Sequence, residues 1–210
     1  HKEKKPRTVT LSKLEGAFDD ATTDQLSDEA LARYREVAGI KEKIRSDAFI
    51  RRLAQQSLLR KDGTSFVPTG FGMLLFGKEP RVAMQQAGLL GTIHYPDGSE
   101  ETRDFDGPLV LTPDQVESWL KDKLPNVIDR SRMRHETIPA LPFELVREAV
   151  VNALVHRDYD ILGAKCQIEV TPDTVTVKSP GGPLPPITLA QMQAFKAPML
   201  SRNPGVQYVF

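Results

Sequence analysis

Residues 142–159 have the sequence PFELVREAVVNALVHRDY. Good helix formers fill the middle of this stretch and a proline stands near its start, which predicts one long helix over 142–156. Glu148, Asn152 and His156 recur at steps of four residues, so they share one face of that helix. Three different polar groups in one stripe indicate that something polar docks there. The apolar residues left to pack on the opposite side are Leu145, Ala149, Ala153 and Leu154.

Two short strands and a glycine loop follow this helix. Residues 165–170 and 174–178 alternate between polar and apolar types, which predicts a strand pair joined by a turn. The pair leads into Ser179-Pro180-Gly181-Gly182, where glycines let a backbone approach a ligand closely. By itself this loop is only a turn signal, and it gains weight because it follows the polar helix by two strands.

Two helices are predicted in the N-terminal half of the chain. Ser27, followed by two acids, starts a helix that stops near Gly39. Ser46 repeats the signal, and apolar positions over 50–58 fall on one face at helical spacing. A turn at Asp62-Gly63, a short strand and a helix capped by Thr69 come next.

This order of elements favours a winged-helix-like segment over residues 27–80. A recognition helix in it would set four cations on phosphates and base edges. The alternative is a small packing module whose basic faces are solvated and paired with the acidic residues that precede it. The four cations are Arg51, Arg52, Arg60 and Lys61.

The charge of the chain is balanced as a whole but segregated along its length. There are 28 Lys and Arg against 28 Asp and Glu, which argues against a generic polyanion binder. Residues 15–29 hold six acids and no base, whereas residues 33–61 hold nine bases and three acids. A nucleic-acid role would therefore be local.

The middle of the chain predicts a change of architecture. Residues 88–95 and 101–105 predict a hairpin, and Thr112-Pro113-Asp114 starts a helix whose apolar stripe includes Trp119. A strand is predicted over 133–138. The single cysteine, Cys166, excludes an intrachain disulfide, and its strand context predicts a buried, inert thiol.

Three stretches of the chain resemble one family of bacterial transcriptional regulators. Residues 148–159, 179–182 and 201–204 look like the C-terminal half of proteins with a Schlafen-like AlbA-2 DNA-binding domain, some of them named RecG-like ATP-dependent helicases. That half is similar to the ATPases of the gyrase, Hsp90, histidine kinase and MutL superfamily. The expected division of the chain is a tail or linker over 1–26, the segment 27–80, and a C-terminally truncated two-layer α/β sandwich over 85–210, which the resemblance implies to be of the Bergerat type.

The resemblance implies roles for the three polar residues of the helix. Glu148 matches the glutamate that acts as general base on the attacking water in this superfamily. Asn152 matches the asparagine that ligates the Mg²⁺ bridging the phosphates of ATP. His156 would lie further along the same face, near the nucleotide or near Glu148. Residues one turn apart on a helix can reach the same metal-bound triphosphate.

The resemblance also implies roles in the loops. Gly181 and Gly182 match the glycine-rich loop, and Arg202 and Asn203 lie in a loop that could act as a lid. Ser179 stands near the place of the aspartate that binds the adenine amino group in the superfamily, and a hydroxyl is a weaker acceptor than a carboxylate.

The function expected from this resemblance is nucleotide-responsive regulation with ATP and Mg²⁺ as ligands. Hydrolysis stays open, because the second glycine-rich box expected after Arg202-Asn203 does not occur before Phe210. A homodimer and a cytoplasmic location without membrane contact are expected, with DNA bound mainly by the AlbA-2 domain outside these residues. The alternatives are a degenerate dimerisation or partner-binding module, and DNA binding through the basic helix around Arg51.

Overall fold

The chain folds into helices packed on one face of a mixed β-sheet, preceded by a helical segment with its own hairpin. A computed structural model describes residues 13–18, 20–124, 127–129, 136–138 and 141–210. The α+β fold class predicted from the sequence is confirmed. Among these described residues, no helix is both long and apolar enough to cross a membrane.

The elements are numbered in chain order. The helices are α1 (Asp28–Val37), α2 (Asp47–Gln55), α3 (Gly70–Phe76), α4 (Pro80–Ala83), α5 (Thr112–Lys123), α6 (Phe143–His156), α7 (Leu189–Gln193) and α8 (Pro204–Gln207). The strands are β1 (Leu59–Asp62), β2 (Ser65–Pro68), β3 (Leu89–His94), β4 (Glu100–Phe105), β5 (Val127–Asp129), β6 (Glu136–Ile138), β7 (Cys166–Val170) and β8 (Val175–Lys178).

The three N-terminal helix starts form as the sequence predicts. The side chains of Ser27, Ser46 and Thr69 each accept a hydrogen bond from the backbone N–H three residues later. At the other end of α1, Gly39 adopts a φ of 61°, which closes the helix with a left-handed residue. Local capping chemistry therefore fixes these boundaries.

The end of α2 differs from the prediction. Ser57 adopts a φ of 60°, and the N–H of Leu58 bonds back to the carbonyl of Leu53 at 3.0 Å, a helix-ending Schellman motif. The chain then enters the hairpin of β1 and β2, which pair antiparallel. Arg60 and Lys61 therefore lie on a strand, and the prediction that they belong to a recognition helix with Arg51 is wrong.

Residues 13–18 and 20–26 pack around α3, all of whose residues are buried. Ala17 bridges to Thr69 and Leu26 to Gly77, and the side chain of Leu26 is fully buried. The prediction of a tail or linker over 1–26 is therefore wrong for the described part, residues 13–18 and 20–26. Acidic residues separate the apolar residues of this segment, so its sequence has no continuous pattern that predicts burial. Residues 1–12 lie outside the described ranges.

The main sheet has the strand order β4-β3-β7-β8. The two central strands, β3 and β7, are parallel, with Leu89 opposite Cys166, and each outer strand pairs antiparallel with its neighbour. β5 and β6 form a separate antiparallel pair. β6 covers the described part of the strand predicted over 133–138, and residues 133–135 lie outside the described ranges.

One face of the main sheet carries the core, and α5 and α6 cover it. Leu89 and Ile93 of β3 and Ile168 of β7 are buried on this face. Trp119 of α5 lies over Gly91, where an added Cβ would come within 2.6 Å of the indole ring. The predicted two-layer sandwich and the predicted core position of Trp119 are confirmed.

The packing of α6 departs from the prediction at one position. Leu145 is 68% exposed, while Val146, Val150 and Leu154 are buried. Leu145 precedes Glu148 by three residues and so belongs to the polar face. The prediction that Leu145 packs on the opposite side is wrong.

The helical segment and the sandwich share one continuous hydrophobic core. A bifurcated ion pair reinforces the contact: Arg33 of α1 donates to the carboxylate of Asp114 at 2.5 Å, and Arg147 of α6 donates to its other oxygen. Burial raises the pKa of Asp114, but hydrogen bonds from the two arginines outweigh it and hold the pKa below its ordinary value. α6 is thus tied electrostatically to the N-terminal half.

Candidate functional site

A cleft of ≈ 650 Å³ opens between α6 and the chain from Ser179 to Gln207. Sites of this size are typical of small-molecule pockets. The structure brings seven of the eight cofactor-site residues predicted from the sequence to its walls, from three separate stretches of the chain. These residues are Glu148, Asn152, His156, Ser179, Gly181, Gly182 and Arg202.

The polar face of α6 forms one wall of the cleft. Glu148, Asn152 and His156 are all exposed, as the four-residue spacing predicts. The amide Nδ2 of Asn152 donates a hydrogen bond to Glu148 Oε1 at 2.9 Å. This bond fixes the amide orientation, so that the oxygen Oδ1 of Asn152 has no protein partner among the described residues.

The opposite wall begins where β8 ends. The hydroxyl of Ser179 donates a hydrogen bond to the carbonyl oxygen of Ala153 at 2.7 Å, which ties the start of the glycine loop to α6. Its oxygen keeps capacity to accept a hydrogen bond from a ligand. Beside it, the Cys166 thiol is buried, as predicted, and burial raises its pKa to about 11.

Gly181 must be glycine for the loop to reach its place. Its φ is +119°, and a Cβ built there would lie 2.8 Å from the Cβ of Asp158. The backbone N–H of Asp158 also donates to the carbonyl of Pro180 at 2.8 Å. At Gly182, by contrast, an added Cβ would have no neighbour within 4 Å. The glycine loop therefore packs directly on the residues that follow α6.

Arg202 joins the two walls at the end of the cleft. Its Nη1 donates to the carboxylate of Asp158 at 3.0 Å, and its Nη2 donates to the carbonyl oxygen of Gly182 at 2.7 Å. Only 20% of the arginine side chain is exposed. A half-buried ion pair of this kind holds the glycine loop to the chain after α6.

Asn203 does not line the cleft. Its side chain is 6% exposed, and its amide Nδ2 donates to the carbonyl oxygens of Val155 and Arg157 at 2.8 and 2.7 Å. Those carbonyls lie at the C-terminal end of α6, where a helix leaves acceptors without intrahelical partners. The prediction that Asn203 binds the cofactor is therefore replaced by a structural role as a cap of α6.

Two residues that support the site were assigned no role from the sequence, although they stand in its most specific motif. The side chain of Arg157 is fully buried and donates to the carbonyl oxygens of Asp158, Ile161 and Ala164. Its guanidinium stacks on the ring of Tyr159 at 4.8 Å. Burial lowers the pKa of Arg157 and raises that of Tyr159. Arg157 and Tyr159 lie within three residues of His156 in the sequence, and this proximity is the feature that could have indicated a role at the site.

The remaining wall is apolar and belongs to residues 183–200, which include α7. Several of its side chains are exposed to a degree that is unusual for their type, notably Met199 at 99%. An apolar wall facing a polar one suits a ligand with a flat hydrophobic part and a polar part. The large apolar residues of this wall are Leu184, Ile187, Leu189, Met192, Met199 and Leu200.

The charges at the cleft are few. Glu148 is its carboxylate and Arg202 its guanidinium, and the latter is already paired with Asp158. Within the described residues, no group of three or more His, Cys, Asp or Glu side chains could hold a metal ion without further ligands. The oxygens of Asn152 and Glu148 are nevertheless the hard donors that Mg²⁺ takes, so they fit an ion whose other ligands are phosphates and water.

The residues predicted to contact DNA lie in the N-terminal half, apart from the cleft lining. Arg51 on α2 and Arg60 and Lys61 on β1 are exposed. Arg52 donates to the carboxylate of Glu42 at 2.7 Å. Among the described residues, the acidic residues of 15–29 form ion pairs with one cation of this region, Arg45. It lies 2.5 Å from the carboxylate of Asp28 and 4.0 Å from that of Asp24.

Comparison with known proteins gives a structural neighbour and no family. No family model and no curated protein matches the chain. The fold is similar to the crystal structure of the DIP2311 protein from Corynebacterium diphtheriae, with a TM-score of 0.67 and 21% sequence identity. The match covers 95% of this chain and 39% of that one, so the chain spans about two fifths of its neighbour's length. At this identity the likeness concerns the fold alone.

Proposed function

We propose that the cleft binds ATP together with Mg²⁺, and that the chain is the nucleotide-responsive module of a bacterial transcriptional regulator. The observation that carries the proposal is the convergence of seven predicted residues on one cleft. They come from α6, from the loop after β8 and from the segment before α8. A chance resemblance in sequence would not require these three stretches to meet.

The two walls offer what an adenine nucleotide needs. The apolar side chains of residues 183–200 can cover the base, while the hydroxyl of Ser179 can accept a hydrogen bond from it. Gly182 has no neighbour within 4 Å of its Cβ position, so a phosphate can approach its backbone closely.

Asn152 would ligate the metal ion, and Glu148 would act on the attacking water. The open amide oxygen of Asn152 would be the protein ligand for Mg²⁺, and the ion when bound would offset the phosphate charge that Arg202 alone cannot balance. Glu148, one turn away, would orient a water molecule and take its proton.

Titration calorimetry with ATP and Mg²⁺ tests the proposal. Wild-type protein is expected to give a saturable heat. Asn152→Ala should raise the Kd at least about tenfold, a loss of about 1.4 kcal/mol. Glu148→Gln should bind within about threefold of wild type, because it removes a proton acceptor and keeps a hydrogen-bonding side chain of the same size.

Gln55→Ala is the matched control, since it also truncates an exposed polar side chain on a helix, away from the cleft lining. Its Kd should equal that of wild type. Absence of heat from the wild-type protein, or equal affinity of Asn152→Ala and Gln55→Ala, rules out nucleotide binding at this cleft.

A second candidate is a partner-binding or dimerisation module that uses no nucleotide. The observation in its favour is the scarcity of free positive charge at the cleft, where Arg202 is already paired with Asp158. Light scattering with and without ATP and Mg²⁺ separates the two candidates. A dimer whose mass and stability do not change when nucleotide is added supports the dimerisation module and contradicts the nucleotide-binding module.

A further inference from the structure

Six exposed cations without ion-pair partners lie close together in the chain. Among the side chains that the structure describes, none of the six has a carboxylate within 4.0 Å or a hydrogen-bond partner. All six occur between the end of α1 and the first strand of the hairpin. The set, called the basic surface below, consists of Arg35, Lys41, Lys43, Arg51, Arg60 and Lys61.

In the rest of the described chain, most cations have a carboxylate, carbonyl or aromatic partner. Lys121, Lys165 and Lys178, for example, each lie within 4.0 Å of a carboxylate. Arg103 stacks on the ring of Phe105 at 5.1 Å. Outside the basic surface, Lys196 is the one exposed cation with a described side chain and no partner of any kind. The basic surface is thus a local excess in a chain of zero net charge.

Internal bonds hold the elements that carry the basic surface together. The hydroxyl of Tyr34 on α1 donates to Gln56, at the end of α2, at 2.5 Å. Arg52 on α2 donates to Glu42 in the loop between the helices at 2.7 Å. The cations of this region therefore fall into two classes: those that build the segment, and those of the basic surface, which it presents to solvent.

We propose that the basic surface binds the phosphate backbone of duplex DNA. The six cations come from α1, the loop between α1 and α2, α2 itself and β1. A duplex carries one charge per about 1.7 Å of its axis, so about 10 Å of duplex holds the phosphates that six cations would pair with.

A duplex fits this surface better than a single strand. Single-strand binders stack bases on exposed aromatic side chains. The aromatic residues of this region are Tyr34 and Phe49, which are buried, and Phe66, which is half-buried. The contacts would be made with phosphates, so binding should depend little on base sequence.

Fluorescence anisotropy with a labelled duplex of random sequence, titrated over a range of NaCl concentrations, tests the proposal. The variant is Arg51→Gln, Arg60→Gln, Lys61→Gln. Its control is Lys121→Gln, Lys178→Gln, Lys196→Gln, which removes the same charge from the sandwich. Circular dichroism with thermal unfolding confirms that both variants fold.

Wild type and control should show a slope of log K against log salt of about −5, and the basic-surface variant a slope of about −3, since each phosphate contact contributes about −0.9. At about 0.1 M salt the variant should bind at least about tenfold more weakly than the control. The result should not depend on ATP, because these residues do not line the cleft.

Three results would overturn the proposal. One is an equal loss of affinity in the two variants, which would assign binding to net charge. Another is tighter binding to a single strand of equal length, or to vesicles rich in phosphatidylserine, than to the duplex. The third is an absence of wild-type binding at low salt.

Discussion

Replacing Gly181 by alanine should destabilise the protein, whereas the same change at Gly182 should not. At Gly181 the backbone has a φ of +119°, and a Cβ would lie 2.8 Å from the Cβ of Asp158. Strain at such a φ costs about 1–3 kcal/mol. Displacing the loop also weakens the hydrogen bond between Asp158 and Pro180, worth about 1 kcal/mol.

The loss of unfolded-state freedom offsets about 0.4–1 kcal/mol of this penalty, so the net destabilisation of Gly181→Ala is about 1–3.5 kcal/mol. With a urea m-value of about 2 kcal/mol/M, the unfolding midpoint should fall by about 0.5–1.8 M. Trp119 is the single tryptophan and is buried, so its fluorescence reports unfolding.

Gly182→Ala is the matched control, because a Cβ there has no neighbour within 4 Å. It should be neutral or slightly stabilising. Free energies of unfolding for the two variants that agree within about 0.5 kcal/mol would contradict the requirement for glycine at position 181.

Two further predictions concern buried and half-buried polar groups. Asn203→Ala removes two hydrogen bonds to carbonyl oxygens at the end of α6 and should lower the free energy of unfolding in urea by about 2–4 kcal/mol. Asn152→Ala, on the exposed face of α6, should lower it by less than about 0.5 kcal/mol. Equal losses in the two variants would contradict the capping role of Asn203. Asp114→Asn weakens the pairing with Arg33 and Arg147 and should cost about 1 kcal/mol at pH 7, because partial exposure screens the charges. The folded-state pKa of Asp114 is depressed, so this stability is present above the unfolded-state pKa of about 3.9 and is lost as pH falls; the difference from wild type should shrink below about pH 4, and a pH-independent difference would contradict the assignment.

Local signals in the sequence predicted much of the fold. The caps at Ser27, Ser46 and Thr69 and the left-handed glycine at Gly39 depend on side-chain and backbone chemistry within a few residues, and all four were found. The end of α2 was missed because Ser57 adopts a positive φ that its residue type does not require.

Tertiary contacts explain the other differences in the fold. Leu26 is buried where it bridges to Gly77 at the end of α3, a contact between distant residues that no window of sequence reveals. Leu145 is exposed because the buried face of α6 passes through Val146 and Val150, and Leu145 lies outside that face.

In the candidate site, period and resemblance contributed different parts. The four-residue period alone placed Glu148, Asn152 and His156 on one face. Only the resemblance assigned Ser179 and Arg202 to the same site as these three residues. The role of Asn203 could not be found from sequence, because an asparagine that caps a helix from a distant loop leaves no local pattern.

The central pairing of the main sheet also bears on how the protein is made. β3 and β4 are synthesised before β7. One edge of β3 therefore stays unpaired until β7 is added, when Cys166, the first residue of β7, pairs with Leu89. Pairings between such distant strands form slowly, and an open edge is a template for association with other chains. A chain that ends before Cys166 therefore lacks β7 and leaves one edge of β3 without its partner strand.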